Sequence, residues 1–144
     1  MSDVEVSIRI DASPSTVFGY FVDPDRMCAW MGVAAEVDPR PGGAYRVDVN
    51  GRDVAVGKYV EIRPDERVVW TWGWDGNDGL PPGSTTVEVT LTQDGDGTVV
   101  RLRHSGLPTE DAMKRHGEGW DHYLDRLAVA ASGGDPGTDA WAPA

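Results

Sequence analysis

The chain has 144 residues, one cysteine and a formal net charge of −11, from 24 acidic and 13 basic side chains. This length suits one domain with its own core, and the excess of carboxylates without a Lys/Arg cluster argues against binding to nucleic acid or to anionic membranes. The single cysteine excludes an intramolecular disulfide. The sequence has no apparent signal peptide and no apolar run near the roughly 20 residues of a membrane span. We therefore expect a cytoplasmic protein without membrane insertion.

The first part of the sequence predicts one strand followed by two short helices. Valine and isoleucine alternate with polar residues over positions 4–10, which is typical of a half-buried strand. Ser13 before Pro14 places a capping side chain ahead of a proline in the first helical turn. Asp23 before Pro24 repeats this arrangement. The two motifs therefore predict two short helices directly after the first strand.

The segment 33–105 has the pattern of strands joined by short turns. Asn50-Gly51 is a strong hairpin signal, and the alternating aspartates and glycines of 94–97 predict another turn. The stretch 75–83 is rich in glycine, proline and acids and predicts a loop. These breaks divide the segment into further short strands, which together with the first predict a curved antiparallel sheet of about seven strands.

Residues 109–131 repeat apolar side chains at steps of three and four, the period of an amphipathic helix. Thr109 supplies an N-cap, and Gly133-Gly134 marks the end. Because the sheet has one apolar face to cover, we predict an α+β helix-grip fold, with the sheet wrapped on this long C-terminal helix. The domain is predicted to span 1–132, and the Pro/Gly/Ala-rich residues 133–144 are predicted to form a disordered tail.

A twisted sheet that grips one helix often leaves a gap between them, and aromatic residues of this sequence fall where they would face it. Alternation on the strand from Glu66 places Val68, Trp70, Trp72 and Trp74 on one face. An apolar cavity with a few polar groups is the usual form of a small-molecule site, although the same rings could also fill the gap. The residues predicted to line the cavity are Trp30, Tyr45, Trp70, Trp72, Met113, His116 and Trp120.

Short motifs in a fixed order resemble a known family over about the first 130 positions. They are Ala12-Ser13-Pro14-Ser15-Thr16-Val17-Phe18, Asp23-Pro24, Trp30, Arg40-Pro41-Gly42-Gly43, Gly57-Lys58-Tyr59-Val60-Glu61-Ile62, Arg67-Val68-Val69-Trp70-Thr71-Trp72, Gly97-Thr98, His104-Ser105-Gly106-Leu107, and Gly117-Trp120 with Leu124 and Leu127. Together they resemble the SRPBCC (START-like, birch-pollen-allergen-like) superfamily, and within it the bacterial homologues of the C-terminal domain of the heat-shock-protein-90 ATPase activator.

The resemblance implies a helix-grip fold and a hydrophobic cavity. It does not fix the chemistry, because the members range from ligand carriers to cyclases. The eukaryotic activator also has a separate N-terminal domain, whereas this sequence begins directly at the first strand. Co-chaperone activity is therefore not expected from the resemblance alone.

Two histidines are candidates for polar or acid–base roles. His116 lies on the apolar stripe of the last helix, one turn before Trp120, and could orient a polar group of a ligand or transfer a proton. It could equally be a partly buried histidine with a backbone partner. His104 could reach the same interior, but at the end of its strand it could also turn toward solvent.

The remaining candidates predict neither a catalytic centre nor a cofactor. Glu61 is expected on the same strand face as Tyr59, where it could serve as a general base or be paired at the rim of the sheet. Cys28 resembles a small buried hydrophobe more than a nucleophile. His104, His116 and His122 are not expected to converge, so we predict no metal site, and no phosphate loop or dinucleotide fingerprint is present.

Three functions fit this sequence. The first, which we favour, is a non-enzymatic binder of a hydrophobic or aromatic small molecule. The second is a polyketide cyclase- or hydrolase-like enzyme that uses His116 or Glu61 as acid or base. The third is a protein-interaction module, such as a chaperone regulator or a homodimer. A large apolar pocket without a convergent acid and base would favour the first.

Overall fold

A computed structural model describes residues 3–141 of the chain. One strand is followed by two short helices, six further strands and a long final helix, as predicted. In chain order the elements are β1 (Val4–Ile10), α1 (Pro14–Val22), α2 (Pro24–Met27), β2 (Ala34–Val37), β3 (Ala44–Asp48), β4 (Val54–Arg63), β5 (Arg67–Trp72), β6 (Thr85–Asp94), β7 (Gly97–Ser105) and α3 (Glu110–Ala131).

The strands form one seven-stranded antiparallel sheet in the order β1-β7-β6-β5-β4-β3-β2. β1 pairs with β7, Val4 opposite His104, while the other neighbours are consecutive in the chain. The β3–β4 turn, the β5–β6 loop and the exit of β7 toward α3 therefore lie at the same end of the sheet. This end carries the candidate site.

The long helix α3 packs its apolar stripe into the main core, and the sequence prediction of a helix-grip fold is confirmed. Trp120, Leu124 and Leu127 are buried with the inward residues of β3 to β7. Thr109 caps the helix, because its hydroxyl accepts a hydrogen bond from the Ala112 amide at 3.0 Å. Over residues 3–141, no helix is long and apolar enough to cross a membrane.

A β-bulge in β4 changes the face on which Glu61 lies. Tyr59 is opposite Trp70, but Glu61 is opposite Val69, so the alternation shifts by one residue between them. Tyr59 is buried, whereas Glu61 forms ion pairs with Arg63 and, at 3.1 Å, Arg67. The prediction that Glu61 shares the face of Tyr59 is wrong, and pairing outside the cavity is the reading that the structure supports.

The segment after α3 runs back along the helix as far as Trp141. Arg126 donates hydrogen bonds to the carbonyl oxygens of Pro136 and Gly137, and the Trp141 ring stacks on His122 with the ring centres 4.0 Å apart. These contacts lie within the stretch 133–144 that the sequence predicts as a disordered tail. The last three positions of the predicted tail, 142–144, lie outside the described residues.

Candidate functional site

An open cavity of about 850 Å³ lies between the first half of α3 and the end of the sheet defined above. The β3–β4 turn, with Asn50 and Asp53, forms one side, and the loop from Asp75 to Leu80 forms the other. Gly119 of α3 is part of the wall, and a Cβ placed on it would meet no heavy atom within 4 Å outside the helix's own backbone and its chain neighbours. The cavity is within the size range of small-molecule sites.

The wall of the cavity is largely aromatic. Trp72 from β5, Trp74 just after it, and Trp120 and Tyr123 from α3 all line it, with Trp141 at the mouth. The ring centre of Trp72 is 5.1 Å from that of Trp74 and 5.2 Å from that of Trp120. Sheet and helix thus contribute neighbouring indoles to the same wall, in which Trp72 and Trp120 are almost completely buried and Trp74 keeps more of its surface accessible.

His104 is fully buried behind this wall as a neutral histidine with a defined tautomer. The Thr85 hydroxyl donates its proton to the Trp72 carbonyl oxygen at 2.7 Å, so it can only accept from His104 Nε2, which lies 2.8 Å away. His104 Nδ1 in turn accepts a hydrogen bond from Trp120 Nε1 at 3.0 Å. The proton of this imidazole is therefore on Nε2.

His116 lines the cavity as the opposite tautomer. Its Nδ1 lies 2.7 Å from the Ala112 carbonyl oxygen and must donate to it, since a carbonyl only accepts. Its Nε2 accepts a hydrogen bond from Trp74 Nε1 at 3.0 Å. The two imidazoles approach each other with ring centres 5.1 Å apart, and each fixes one indole of the cavity wall.

Burial keeps both histidines neutral. Desolvation, with a further effect from nearby His116, lowers the pKa of His104 to about 3. Desolvation also lowers the pKa of His116, against the opposing effect of its hydrogen bond to Ala112. Since the free lone pair of each ring already accepts an indole N–H, neither histidine can take a proton from a substrate without first losing that bond.

Three buried polar atoms next to these groups have no hydrogen-bond partner within residues 3–141: Tyr45 Oη, Trp70 Nε1 and Trp72 Nε1. Trp72 is the one whose ring also lines the cavity. An unpaired buried donor costs roughly 1–3 kcal/mol, and the Trp72 N–H is shielded from solvent although its ring borders the cavity.

The rim of the cavity is acidic. Four carboxylates line it, those of Asp53, Asp75, Asp78 and Asp111, together with the guanidinium of Arg115. Arg115 forms an ion pair with Asp111 at 3.0 Å on the same helix. The rim therefore carries a net negative charge toward anything that enters.

Comparison with known proteins identifies the family. Residues 11–132 match the family model described as "Activator of Hsp90 ATPase homolog 1-like protein". The chain belongs to this family. The sequence resemblance to it is thereby confirmed.

Two solved structures and one curated relative are similar to this AHSA1-like chain. An AHSA1-like protein from Rhizobium etli is 44% identical, with a TM-score of 0.77 over 99% of this chain and 89% of that one. CalU16 from Micromonospora echinospora is 27% identical, with a TM-score of 0.75 over 91% and 74% of the two chains. An uncharacterized protein of Schizosaccharomyces pombe is 27% identical over an alignment of 128 residues, and the match covers 85% of this chain but only 35% of that protein.

Of the seven residues predicted from sequence to line the cavity, Trp72, His116 and Trp120 do so. The other four fill the cores of this AHSA1-like fold. Trp30 is buried and donates to the Tyr20 carbonyl oxygen, and Tyr45 stacks on Trp70 with ring centres 5.2 Å apart. Met113 packs on a separate small cluster of Val4, Leu80 and Leu107.

Sequence reasoning left three aromatic residues out of the site. Trp74 continues the alternation of Trp70 and Trp72, and Tyr123 is one helical step beyond Trp120, so both carried a usable signal. No pattern in the sequence indicated that Trp141 would line the cavity. His104 and His116 also approach closely, against the expectation that the histidines stay apart, but no group of three potential metal ligands occurs among residues 3–141.

The C-terminal segment is anchored beside the cavity by Asp139. Its carboxylate accepts hydrogen bonds from the Tyr123 hydroxyl at 2.6 Å and from the Trp141 amide at 2.9 Å, and His122 Nε2 lies 2.8 Å away. Burial acts to raise the pKa of Asp139, but these hydrogen bonds outweigh it and lower the pKa. The carboxylate is therefore ionised at neutral pH.

We expect Asp139→Asn to lower the free energy of unfolding by about 1–2 kcal/mol, because it replaces a charged acceptor by a neutral one. Urea melts at neutral pH measure the change. Asp135→Asn, on the same segment but exposed, removes the same charge and should change stability by less than about 0.5 kcal/mol. Equal melts for the two variants would contradict the anchoring role of Asp139.

Proposed function

We propose that this domain binds a small aromatic molecule in the cavity between α3 and the sheet and acts as a binding protein rather than an enzyme. The observation that carries the proposal is the open cavity of about 850 Å³ walled by indole rings from both the sheet and the helix. A flat apolar guest would pack against the accessible part of this wall, chiefly at Trp74 and Trp141, and remove it from water.

The state of the polar groups supports binding over catalysis. Both histidines near the cavity are neutral and have both ring nitrogens engaged. Glu61, the other candidate base, is paired with arginines on the other face of the sheet. The unpaired donor of Trp72 offers a guest one hydrogen bond, which orients the guest but transfers no proton.

A cavity-filling substitution tests this proposal. Gly119→Phe places a ring into the open space, and we expect it to weaken binding of acetylnaphthalene by at least about ten-fold, because the added ring occupies the part of the cavity beside α3 where the guest would pack. The matched control Gly119→Ala adds only a methyl group; it should bind normally and gain up to about 1 kcal/mol of stability from helix propensity. Calorimetric titration and intrinsic tryptophan fluorescence follow the binding.

The orienting hydrogen bond is tested in the same titration. Acetylnaphthalene should bind roughly three- to ten-fold more tightly than ethylnaphthalene, because only its carbonyl can accept from a buried indole N–H. Unchanged affinity in Gly119→Phe would exclude the cavity as the binding site. If neither probe gives a saturable response, the small-molecule proposal fails and a protein-interaction role becomes the better hypothesis.

A further inference from the structure

We propose that the guest of this cavity is an organic cation, an amine or quaternary ammonium group carried on an apolar aromatic scaffold. The inference rests on the proposed function and names the chemical class of ligand for the same site. It combines the charge of the rim, the faces of the indole rings and the unpaired donor in the wall.

The rim has carboxylates that no cation of the protein neutralises. Asp75 lies 3.5 Å from Arg46, and Asp111 lies 3.0 Å from Arg115, so two of the four carboxylates are paired. Asp53 and Asp78 form no ion pair with any residue of 3–141.

The charge of Asp53 acts across the cavity mouth. It contributes, after burial and the contact with Asp139, to raising the pKa of the Tyr123 hydroxyl on α3. An entering cation meets an attractive potential, and an anion meets a repulsive one.

The wall below this rim suits a cation as well as an apolar ring. Trp72, Trp74 and Trp120 line the space, Trp74 with the most accessible surface of the three, and indole faces attract ammonium groups through the negative potential of the ring. Both imidazoles that support these rings are neutral, so they add no opposing charge. A cationic aromatic guest would therefore make favourable contacts both with the carboxylates of the rim and with the indoles of the wall.

One residue of the wall also has a polar group without a partner. Trp72 is 3% exposed, and its Nε1 is buried without a partner within residues 3–141, while its ring forms part of the wall. A guest with an acceptor oxygen on its scaffold would satisfy this donor. The carboxylates themselves are too dispersed to form a cation site of their own, because no group of three potential metal ligands occurs in the described part of the chain.

Three probes of similar shape and different charge test the inference: N-methylquinolinium, methylnaphthalene and naphthoate. By calorimetric titration at low salt we expect the cation to bind about ten-fold more tightly than the neutral probe, and the anion to bind more weakly than either. The preference for the cation should shrink as salt is added, because the rim is exposed to solvent.

Charge variants locate the effect. Asp53→Asn with Asp78→Asn should weaken binding of N-methylquinolinium roughly three- to ten-fold and leave methylnaphthalene within about two-fold. Glu66→Gln with Asp96→Asn removes the same two charges from turns that do not line the cavity, and it should change neither affinity. Because Asp53 lies in the β3–β4 turn, thermal melts check that the variant is still folded. Asp78→Asn alone changes only the exposed loop, and it should show part of the same loss of affinity for N-methylquinolinium.

The outcomes separate this inference from the proposed function. If the neutral probe binds as tightly as the cation, or if the control pair weakens the cation equally, the guest class is wrong while the cavity remains the binding site. If none of the three probes binds saturably, the proposed function fails as well. A cation preference that disappears only in the variants of Asp53 and Asp78 supports the inference.

Discussion

Replacement of Trp120 by alanine is expected to lower the free energy of unfolding by about 3–5 kcal/mol, the usual cost of removing a large buried aromatic side chain. The ring is 3% exposed and lies 5.2 Å from Trp72, centre to centre. Its Nε1 is also the donor to His104 Nδ1, so the truncation leaves a buried acceptor without a partner. Urea melts of the two proteins give the difference.

A second variant separates packing from hydrogen bonding at this position. Trp120→Phe keeps most of the ring volume and loses the N–H group, so we expect a smaller loss of about 1–3 kcal/mol from the unpaired His104 nitrogen and the smaller ring. A loss below about 1 kcal/mol for Trp120→Ala would mean that the ring faces the cavity with little packing behind it.

The fold could be predicted from the sequence because periodicity and turn chemistry agree along the whole chain. The alternation over 85–92 and the helical period from 109 each specify one apolar face, and a sheet with one apolar face has to be covered. Asn50-Gly51 fixed the position of a turn that now borders the cavity. These are local signals, and local signals define the elements.

The lining of the cavity was predicted only in part, because alternation gives the face of a residue but not its depth along the strand. Trp70 and Trp72 share a face, yet Trp70 packs between Tyr45 and Phe21 in the core while Trp72, two residues nearer the strand end, reaches the cavity. Met113, also predicted to line the cavity, shows the same limit of periodicity. It lies on the helix stripe but at the edge that meets a separate small cluster.

Two further features of the structure have no periodic pattern in the sequence that would predict them. The bulge after Tyr59 moved Glu61 to the other face, and Gly57, the one residue of that strand whose type can mark a bulge, lies before the shift and does not give its position. The segment 133–141 has a composition typical of disorder, and its contacts with α3 come from Asp139 and Trp141, which meet His122 and Tyr123 of the helix. Such complementarity exists only once the helix is formed.

Lowering the pH is expected to destabilise the protein through His104. The native pKa of about 3 lies below the value of about 6.5 expected for the unfolded chain. Above pH ~6.5 His104 is neutral in both the native and the unfolded chain, and its full contribution to the free energy of unfolding is present. Below pH ~6.5 the unfolded chain binds a proton at His104 but the native chain does not, so the free energy of unfolding falls progressively toward pH ~3. Between pH 7.5 and pH 5 this amounts to about 2 kcal/mol.

The variant His104→Gln isolates this effect from the titration of the carboxylates. Glutamine has an acceptor for Trp120 Nε1 and donors for Thr85 Oγ1, but it carries no titratable group. The difference in unfolding free energy between pH 7.5 and pH 5 should therefore be about 2 kcal/mol smaller in the variant than in the unaltered chain. The comparison uses the change with pH, so a general loss of stability in the variant does not disturb it.

A direct measurement of the ring checks the same prediction. Nitrogen chemical shifts should show His104 with its proton on Nε2 and unchanged from pH 7.5 down to pH 5, because adding a proton to Nδ1 requires the bond from Trp120 to break in a site that is fully buried. His116 shares the cause and the direction, so its protonation adds to the loss and releases Trp74 from the cavity wall. If His104 titrates near pH 6.5, or if the glutamine variant keeps the full pH dependence of the unfolding free energy, the prediction that His104 stays neutral in the folded protein is wrong.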